Sequence, residues 1–360
     1  MSRAERMSGT QTETPPFDEG REQFDAIVVT TLQNVRYLSG FTGSSAILLV
    51  RGPEMTLFTD PRYTIQAAQE TTAKVKIVRG ELTAGLKNIL AKCKSIGFEN
   101  RRISFAAVAS LQKLLKPGAN LIGIEDAIER KRMVKTAAEI ALIRESVRVN
   151  SNAFERGLKR FRPGMTEVTL AAEFDHQQRK LGAEKPAFDT IVASSARSAL
   201  PHAHPTEEKI PSNGLLLVDM GSFRRGYASD MTRTLHIGRA SAKTRLLYQA
   251  VLEAQLAAID SVKPGTTTGH VDRAARVVLR KFGFDKAFVH STGHGLGLEI
   301  HEPPRIGRRD KTPLAAGMAI TIEPGAYLEG LGGIRIEDTV LVTANGCEIL
   351  SPAPKEFTVL

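Results

Sequence analysis

Residues 215–235 read LLLVDMGSFRRGYASDMTRTL, and residues 318–337 read MAITIEPGAYLEGLGGIRIE. Each stretch begins as an apolar strand that ends in an acid, turns through glycines and returns as a second strand with another acid. The four acids are Asp219 and Asp230 in the first stretch and Glu323 and Glu337 in the second. Both stretches therefore predict a β-hairpin that carries two carboxylates.

The centre of each turn decides which residues face each other. If the first turn centres on its paired arginines, Asp219 lies directly opposite Asp230; a second turn centred on Gly330 sets Glu323 opposite Glu337. Directly opposed residues have Cβ atoms about 5 Å apart. Two carboxylates that close repel each other in an apolar setting, so the hairpins require a bound proton or a cation.

The helical segments before the two hairpins repeat as well. Pro-Gly turns at 163–164 and 264–265 are 101 residues apart, and the glycines that stop the following helices, Gly182 and Gly283, keep that offset. This pattern predicts an internal duplication. If the halves pack about a pseudo-twofold axis, all four carboxylates converge.

Four converging carboxylates carry about the charge that two divalent cations cancel. The stretch HSTGHGLGLEIHEPP (290–304) adds His294 between glycines, which allow a close approach of backbone to a ligand. Carboxylates with one imidazole suit Mn²⁺, Fe²⁺, Co²⁺ or Zn²⁺ better than an all-oxygen calcium site. Two such ions about 3.5–4 Å apart activate a shared water, so the residues predict a two-metal hydrolase.

The chain before these motifs alternates strand-like and helix-like segments, which predicts an α/β domain over residues 21–130. The candidate strands are 25–30, 45–50, 55–59 and 74–78, the candidate helices are 62–71 and 82–95, and a further strand and helix are expected near Ile103 and Leu111. Thr136 and Glu139 form a capping-box pattern that opens a long helix and a second domain over 131–360. Residues 1–20 are expected to be a polar tail.

Composition excludes several classes of protein. The 360 residues are 42% hydrophobic, too many for a disordered chain, and no apolar run reaches the roughly 20 residues that cross a bilayer. Two distant cysteines and the absence of a secretory signal predict a cytoplasmic protein. The net charge of +10 comes without long basic runs or interleaved aromatics, so we expect no nucleic-acid partner.

These motifs resemble the signature segments of the pita-bread metallopeptidases, in particular the branch of Xaa-Pro aminopeptidase (aminopeptidase P) and Xaa-Pro dipeptidase (prolidase). NVRYLSGFTGSSA (34–46) and FTDPRYTIQA (58–67) resemble that branch's creatinase-like N-terminal domain. The resemblance implies an α/β (α+β) fold: a creatinase-like α/β domain followed by a pseudo-twofold pita-bread catalytic domain.

The resemblance also assigns roles. It implies that one metal is bound by Asp219, the other by His294 and Glu323, and both by Asp230 and Glu337. Glu323 resembles the acid that takes a proton from the attacking water. The implied catalytic and substrate-binding residues are His202, His301, His290, Tyr327 and Arg335, with Phe188 in an apolar proline pocket.

The expected function is hydrolysis of the bond between an N-terminal residue and a following proline, with two divalent metals, manganese first and cobalt or zinc as alternatives. The resemblance implies proline-containing peptides as substrates and a homodimer. Xaa-Pro dipeptidase activity is the main alternative. A methionine aminopeptidase is disfavoured by the N-terminal domain, creatinase-like hydrolysis without metal by the full ligand set, and a non-catalytic binding protein by the intact acids and histidines.

Two segments depart from the family pattern. Residues 193–197, ASSAR, contain fewer glycines than is usual before the first histidine. We therefore expect Arg197 to alter the rim of the pocket. The second is the segment before the first strand. Relatives usually have a full helix there, whereas this chain has little more than residues 21–24 after the polar tail.

Overall fold

The computed structural model describes residues 24–360, so the predicted tail and most of the segment before the first strand lie outside the described residues. Internal contacts divide the chain into two compact units, with the boundary between Arg132 and Met133.

The first unit is built on a six-stranded mixed sheet in the order β4-β3-β2-β1-β5-β6. Its strands are β1 (Ala26–Val29), β2 (Ala46–Arg51), β3 (Glu54–Thr59), β4 (Lys74–Ile77), β5 (Ser95–Glu99) and β6 (Asn120–Ile124). Its α-helices are α1 (Leu32–Ser39), α2 (Thr64–Glu70), α3 (Lys87–Leu90), α4 (Phe105–Gln112) and α5 (Ala127–Met133), which ends at the boundary. Apolar side chains from the sheet and helices, including Val28 and Leu90, form one core cluster.

The expected segments of this unit are largely present, with corrections at several positions. Ile103 lies in a turn, and the strand expected there is β5, because a parallel pairing with β1 uses the apolar residues before the turn. The helix expected over 82–95 is a 3₁₀ segment, Leu82–Leu86, followed by the short α3. Helix α1 was missed, since its eight residues are too few for a clear helical period. Strand β6 and helix α5 were missed as well.

The second unit opens with the predicted capping box: Thr136 and Glu139 each bind the other's backbone N–H. Its helices are α6 (Ala137–Leu158), α7 (Glu167–Lys180), α8 (Ala242–Asp260) and α9 (Thr268–Lys281). Its strands are β7 (Lys185–Pro186), β8 (Ile191–Ser194), β9 (Gly214–Met220), β10 (Ser222–Arg224), β11 (Tyr227–Ala228), β12 (Met231–Ile237), β13 (Gly293–Gly295), β14 (Glu302–Ile306), β15 (Ala319–Ile322), β16 (Gly325–Leu328), β17 (Gly332–Arg335), β18 (Asp338–Val342) and β19 (Cys347–Ile349).

The predicted duplication is visible in the helices. Helices α7 and α9 both have 14 residues, and both their first and last residues are 101 positions apart. The turns before them use Gly164 and Gly265 at φ 87° and 84°, a left-handed conformation that favours glycine. The apolar faces of these helix pairs pack in two clusters against the strands of the two halves. One face of the strands is thereby covered, and the acids gather on the other.

Candidate metal centre

The first acid hairpin has a different register from the one expected. Thr232, not Asp230, pairs with Asp219, and Met231 pairs with Met220. The turn instead centres on Arg225 and Gly226, which adopt φ values of 50° and 79°. Hairpin turns of this kind need positive φ at both central positions, which favours an X-Gly pair. The shift is two residues, so Asp219 and Asp230 are diagonal neighbours on the same face of the sheet.

The second hairpin follows the expected register. Pairing of Ile322 with Asp338 on one side and of Gly325 with Arg335 on the other sets Glu323 opposite Glu337. Gly330, at φ 78°, lies at the turn.

The two hairpins meet along β12 and residues 335–339. The Glu337 amide donates to the Thr232 carbonyl at 3.1 Å, and the Thr339 hydroxyl donates to the Asp230 carbonyl at 2.9 Å. The Thr232 hydroxyl also donates to Glu337 Oε2 at 2.8 Å. These bonds bring the acids of both halves to one place, as the sequence predicted.

His294 completes the cluster from β13. Its Nε2 lies 3.5 Å from Asp230 Oδ2 and 3.5 Å from Glu323 Oε1. Its Nδ1 lies 3.0 Å from the Gly295 carbonyl oxygen, which can only accept a hydrogen bond, so Nδ1 is the donor there and Nε2 is the ring nitrogen that faces the acids. A side chain at Gly293 would place Cβ 1.9 Å from the Thr321 carbonyl oxygen, so only glycine lets β13 approach β15 here.

Burial and mutual repulsion raise the pKa values of the acids in the cluster. Burial, followed by the charges of Asp219 and Glu323, raises the pKa of Asp230 well above its usual range. Burial and the charges of Asp230, Glu323 and Asp219 do the same to the pKa of Glu337. Burial also raises the pKa of Glu323. The protein alone therefore does not compensate the charge of these acids.

The residues present fit a metal centre. Oδ1 of Asp219 and Oδ1 of Asp230 are buried and accept no hydrogen bond from the described residues. Such orphaned acceptors are rare in native proteins and call for a ligand. Asp230, His294 and Glu337 each offer a donor atom within 4.8 Å of the other two. Carboxylate oxygens with one imidazole suit divalent transition metals.

A second network surrounds Arg335. One guanidinium nitrogen donates to Asp219 Oδ2 at 2.6 Å and the other to the Tyr327 hydroxyl at 2.7 Å. The same hydroxyl lies 2.8 Å from His290 Nε2. Burial raises the pKa of Tyr327 to about 12, and burial together with the Arg335 charge lowers the pKa of His290 to about 4. Both groups are thus neutral near pH 7.

The remaining predicted residues are His301, His202 and Phe188. The His301 ring packs edge-on against His294, with centroids 4.4 Å apart, and burial followed by the His294 charge lowers its pKa. His202 is exposed, and its charge contributes to the lowered pKa values of both His290 and His301. Phe188 contacts Gly221, and its place in a proline pocket stays a prediction.

The guanidinium of Arg197 pairs with Glu167 at 3.0 Å and donates to the His204 carbonyl, and its expected effect on the rim of the pocket stays a prediction.

Sequence reasoning missed the threonines of the site. Thr232 binds both Glu337 and Arg335, and Thr321 binds the His294 amide and Glu323. The signal was present, because each threonine is two residues from an acid and therefore on the same strand face. Arg233 was missed too. It lies on the opposite face, where it donates to the Glu337 carbonyl and to Asp338.

Comparison with known proteins identifies the family of this chain. The model of metallopeptidase family M24 matches residues 141–344, which include all five predicted ligands. The chain belongs to metallopeptidase family M24. The Creatinase/Prolidase N-terminal domain matches residues 20–134. These matches confirm the predicted fold class, and the protein is a metallopeptidase.

Several relatives cover nearly the whole chain. The Xaa-Pro dipeptidase of Pyrococcus furiosus is 37% identical over 334 residues, 92% of this chain and 95% of the relative. The solved Xaa-Pro dipeptidase from Bacillus anthracis has a TM-score of 0.92 at 33% identity and covers 100% of both chains. The X-Pro aminopeptidase from Thermotoga maritima has a TM-score of 0.88 at 38% identity, covering 95% of this chain and 100% of its own. Among residues 24–360, none of the helices has the length and apolarity to span a membrane.

Proposed function

We propose that this family M24 metallopeptidase hydrolyses the bond between an N-terminal residue and a following proline. The observation that carries the proposal is that Asp230, His294 and Glu337 offer donor atoms within 4.8 Å of one another, and that buried oxygens of Asp219 and Asp230 accept no hydrogen bond from the described residues. Asp219, Asp230, His294, Glu323 and Glu337 would hold two divalent ions, manganese first. When bound, the ions supply a Lewis acid and a nucleophile from water at neutral pH.

The chain's own groups account for the proton transfers. Glu323, whose Oε1 lies 3.5 Å from His294 Nε2, is the carboxylate that we expect to accept a proton from the attacking water and return it to the leaving proline nitrogen. Thr321 donates to Glu323 Oε1 at 3.3 Å and keeps the carboxylate beside His294. In this proposal His301, whose ring packs against His294, donates to the developing oxyanion, and exposed His202 contacts substrate.

The proline preference is supported by the names of the relatives. Dipeptidases from two Pyrococcus species carry Xaa-Pro in their names, at 37% and 35% identity. Xaa-Pro dipeptides are therefore the first substrates to test. The second candidate is removal of a residue from longer Xaa-Pro-Xaa peptides, which is the activity expected first from the sequence and is supported by the likeness to the Thermotoga enzyme.

The test is a substrate panel on protein that was stripped of metal and reloaded with Mn²⁺, Co²⁺ or Zn²⁺. The panel contains Leu-Pro, Leu-Pro-Ala, Leu-Gly and Met-Ala-Ser. We expect turnover of the two proline peptides only. Cleavage of Leu-Pro alone identifies a dipeptidase, and cleavage of the tripeptide an aminopeptidase. Turnover of Met-Ala-Ser alone, or of none of the peptides with any metal, would refute the proposal.

Three finer predictions accompany it. We expect manganese in protein purified without added metal, a homodimer in sedimentation and a cytoplasmic location. Elemental analysis, analytical ultracentrifugation and cell fractionation measure these directly.

A further inference from the structure

A single carboxylate outside the acid cluster links the two chain segments that precede and follow His202. Glu167, the first residue of α7, is fully buried. It accepts hydrogen bonds from the amide and hydroxyl of Ser194 at 2.8 and 2.9 Å, and from the amide and hydroxyl of Thr206 at 3.1 and 3.0 Å. Its fifth donor is Arg197 Nε at 3.0 Å. Ser194 ends β8, and Thr206 lies four residues after His202.

Arg197 extends this link to the His202 loop, residues 200–206, which contains His202 and His204. Its Nη2 donates to the His204 carbonyl at 2.6 Å. On the other side of His202, Arg335 donates to the Pro201 carbonyl at 3.2 Å. Two guanidinium groups therefore hold the backbone on either side of His202. Ala203 lies buried between the two exposed histidines and packs in a small apolar cluster with β8 and β9.

The segment before the loop is fixed from its other face by β17. The Ser198 hydroxyl accepts from the Gly333 amide at 2.9 Å, within the 3₁₀ turn Ser195–Ala199. A side chain at Gly333 would place Cβ 2.2 Å from the Ser198 carbonyl oxygen, so the turn and β17 are in direct contact. Because β17 ends at Arg335, the loop is positioned relative to the group that binds Asp219.

The internal duplication allows Glu167 to be compared with the equivalent residue of the second half. The position 101 residues after Glu167 is Thr268, which likewise begins a 14-residue helix. The second helix therefore forms without a carboxylate at that position. The acid of the first half has no counterpart in the second, and its donors come from the segments around His202.

We propose that Glu167 and Arg197 form a positioning pair that fixes the His202 loop over the acid cluster and thereby sets substrate turnover without binding metal. The pair acts through His202, so the idea rests on the proposed role of that histidine. Loss of the Arg197 link frees the His204 carbonyl and leaves His202 held on one side only. Misplacement of a substrate-contacting group by about 1 Å can lower turnover by about 100-fold.

The experiment is a double-mutant cycle with Arg197→Gln and His202→Ala, in which kcat, KM, bound metal and Tm are measured. We expect Arg197→Gln to lower kcat/KM by about 10- to 100-fold while bound metal is unchanged. In the His202→Ala background the same substitution should have no further effect. Arg144→Gln, which removes an exposed pair with Glu348, is the matched control and should retain full activity.

A second measurement does not depend on the substrate. Two-dimensional ¹H–¹⁵N spectra of the histidine rings, with His202 assigned by its loss in His202→Ala, report the environment of that ring. We expect the His202 signal to shift or broaden in Arg197→Gln while the signal of His270, on α9, stays unchanged. If the ring signal and turnover are both unaffected, or if the two substitutions lower activity independently, the positioning role is wrong. If no Xaa-Pro peptide is cleaved by the wild type, the spectra alone decide.

Discussion

Replacement of Asp230 by Asn should stabilise the metal-free protein at neutral pH while it abolishes metal binding. Asp230 and Glu337 offer ligand oxygens within 4.8 Å of each other. At that separation and an effective dielectric constant of about 20, two ionised carboxylates repel by about 3.5 kcal/mol. The wild-type cluster relieves part of this repulsion by binding a proton, so we expect a gain on the order of 2–3 kcal/mol, or roughly 4–12 °C in Tm.

The stability gained by Asp230→Asn depends on pH, and the direction of that dependence follows from the pKa of Asp230. Burial and neighbouring charges raise the folded-state pKa of Asp230 above its unfolded value. Such a group contributes stability that is fully present below the unfolded pKa and is lost as pH rises through the folded pKa. The gain from Asp230→Asn should therefore be absent near pH 3, grow as pH rises and level off above the folded pKa.

The assay is a series of thermal melts in chelator between pH 3 and pH 8, repeated with excess Mn²⁺. Added metal should stabilise the wild type by linkage and leave Asp230→Asn unchanged. Asp260→Asn, at an exposed position on α8, is the control and should follow the wild type. If metal-free Asp230→Asn is less stable than wild type at pH 8, the repulsion inferred from the cluster is wrong.

Other predictions test separate parts of the molecule. Glu323→Gln should lower turnover by orders of magnitude with an unchanged circular dichroism spectrum; near-normal turnover would remove it from the proton transfer. Lys135→Met breaks a fully buried 3.2 Å pair with Glu302 and should cost about 3–5 kcal/mol in urea melts, whereas Arg144→Met should cost under about 1 kcal/mol. The His290 pKa of about 4 lies below its unfolded value, so its contribution to stability, present above about pH 6.5, is lost as pH falls toward 4; an NMR titration that shows protonation near pH 6.5 would contradict this.

Local signals in the sequence were sufficient for the secondary structure near the site. The capping box at Thr136, the repeated Pro-Gly turns and the second hairpin all depend on residues a few positions apart, and all are present. The first hairpin failed by two residues because its turn was centred on the arginine pair, although Gly226 marks the position that accepts positive φ. Because the shift was even, the predicted strand face survived.

Contacts between distant segments could not be predicted in the same way. Glu302 carries no local signal of burial, and it is buried against Lys135, 167 residues away. The partner of Arg197 was not predicted either: it binds Glu167, because α7 brings that carboxylate next to the turn. Neither partner has a spacing or motif that links it to the other.

The sequence by itself determined the types and faces of the strands that carry the acids, since side-chain alternation and glycine turns are local properties. It also determined the set of candidate ligands, because a pair of carboxylates occurs in each of the two hairpins and one glycine-flanked histidine lies between them along the chain. Only the tertiary structure decided that Asp219 and Asp230 are left with unsatisfied oxygens and that a carboxylate on α7 positions the His202 loop. Both depend on burial and on distances between segments, which arise when the two halves pack.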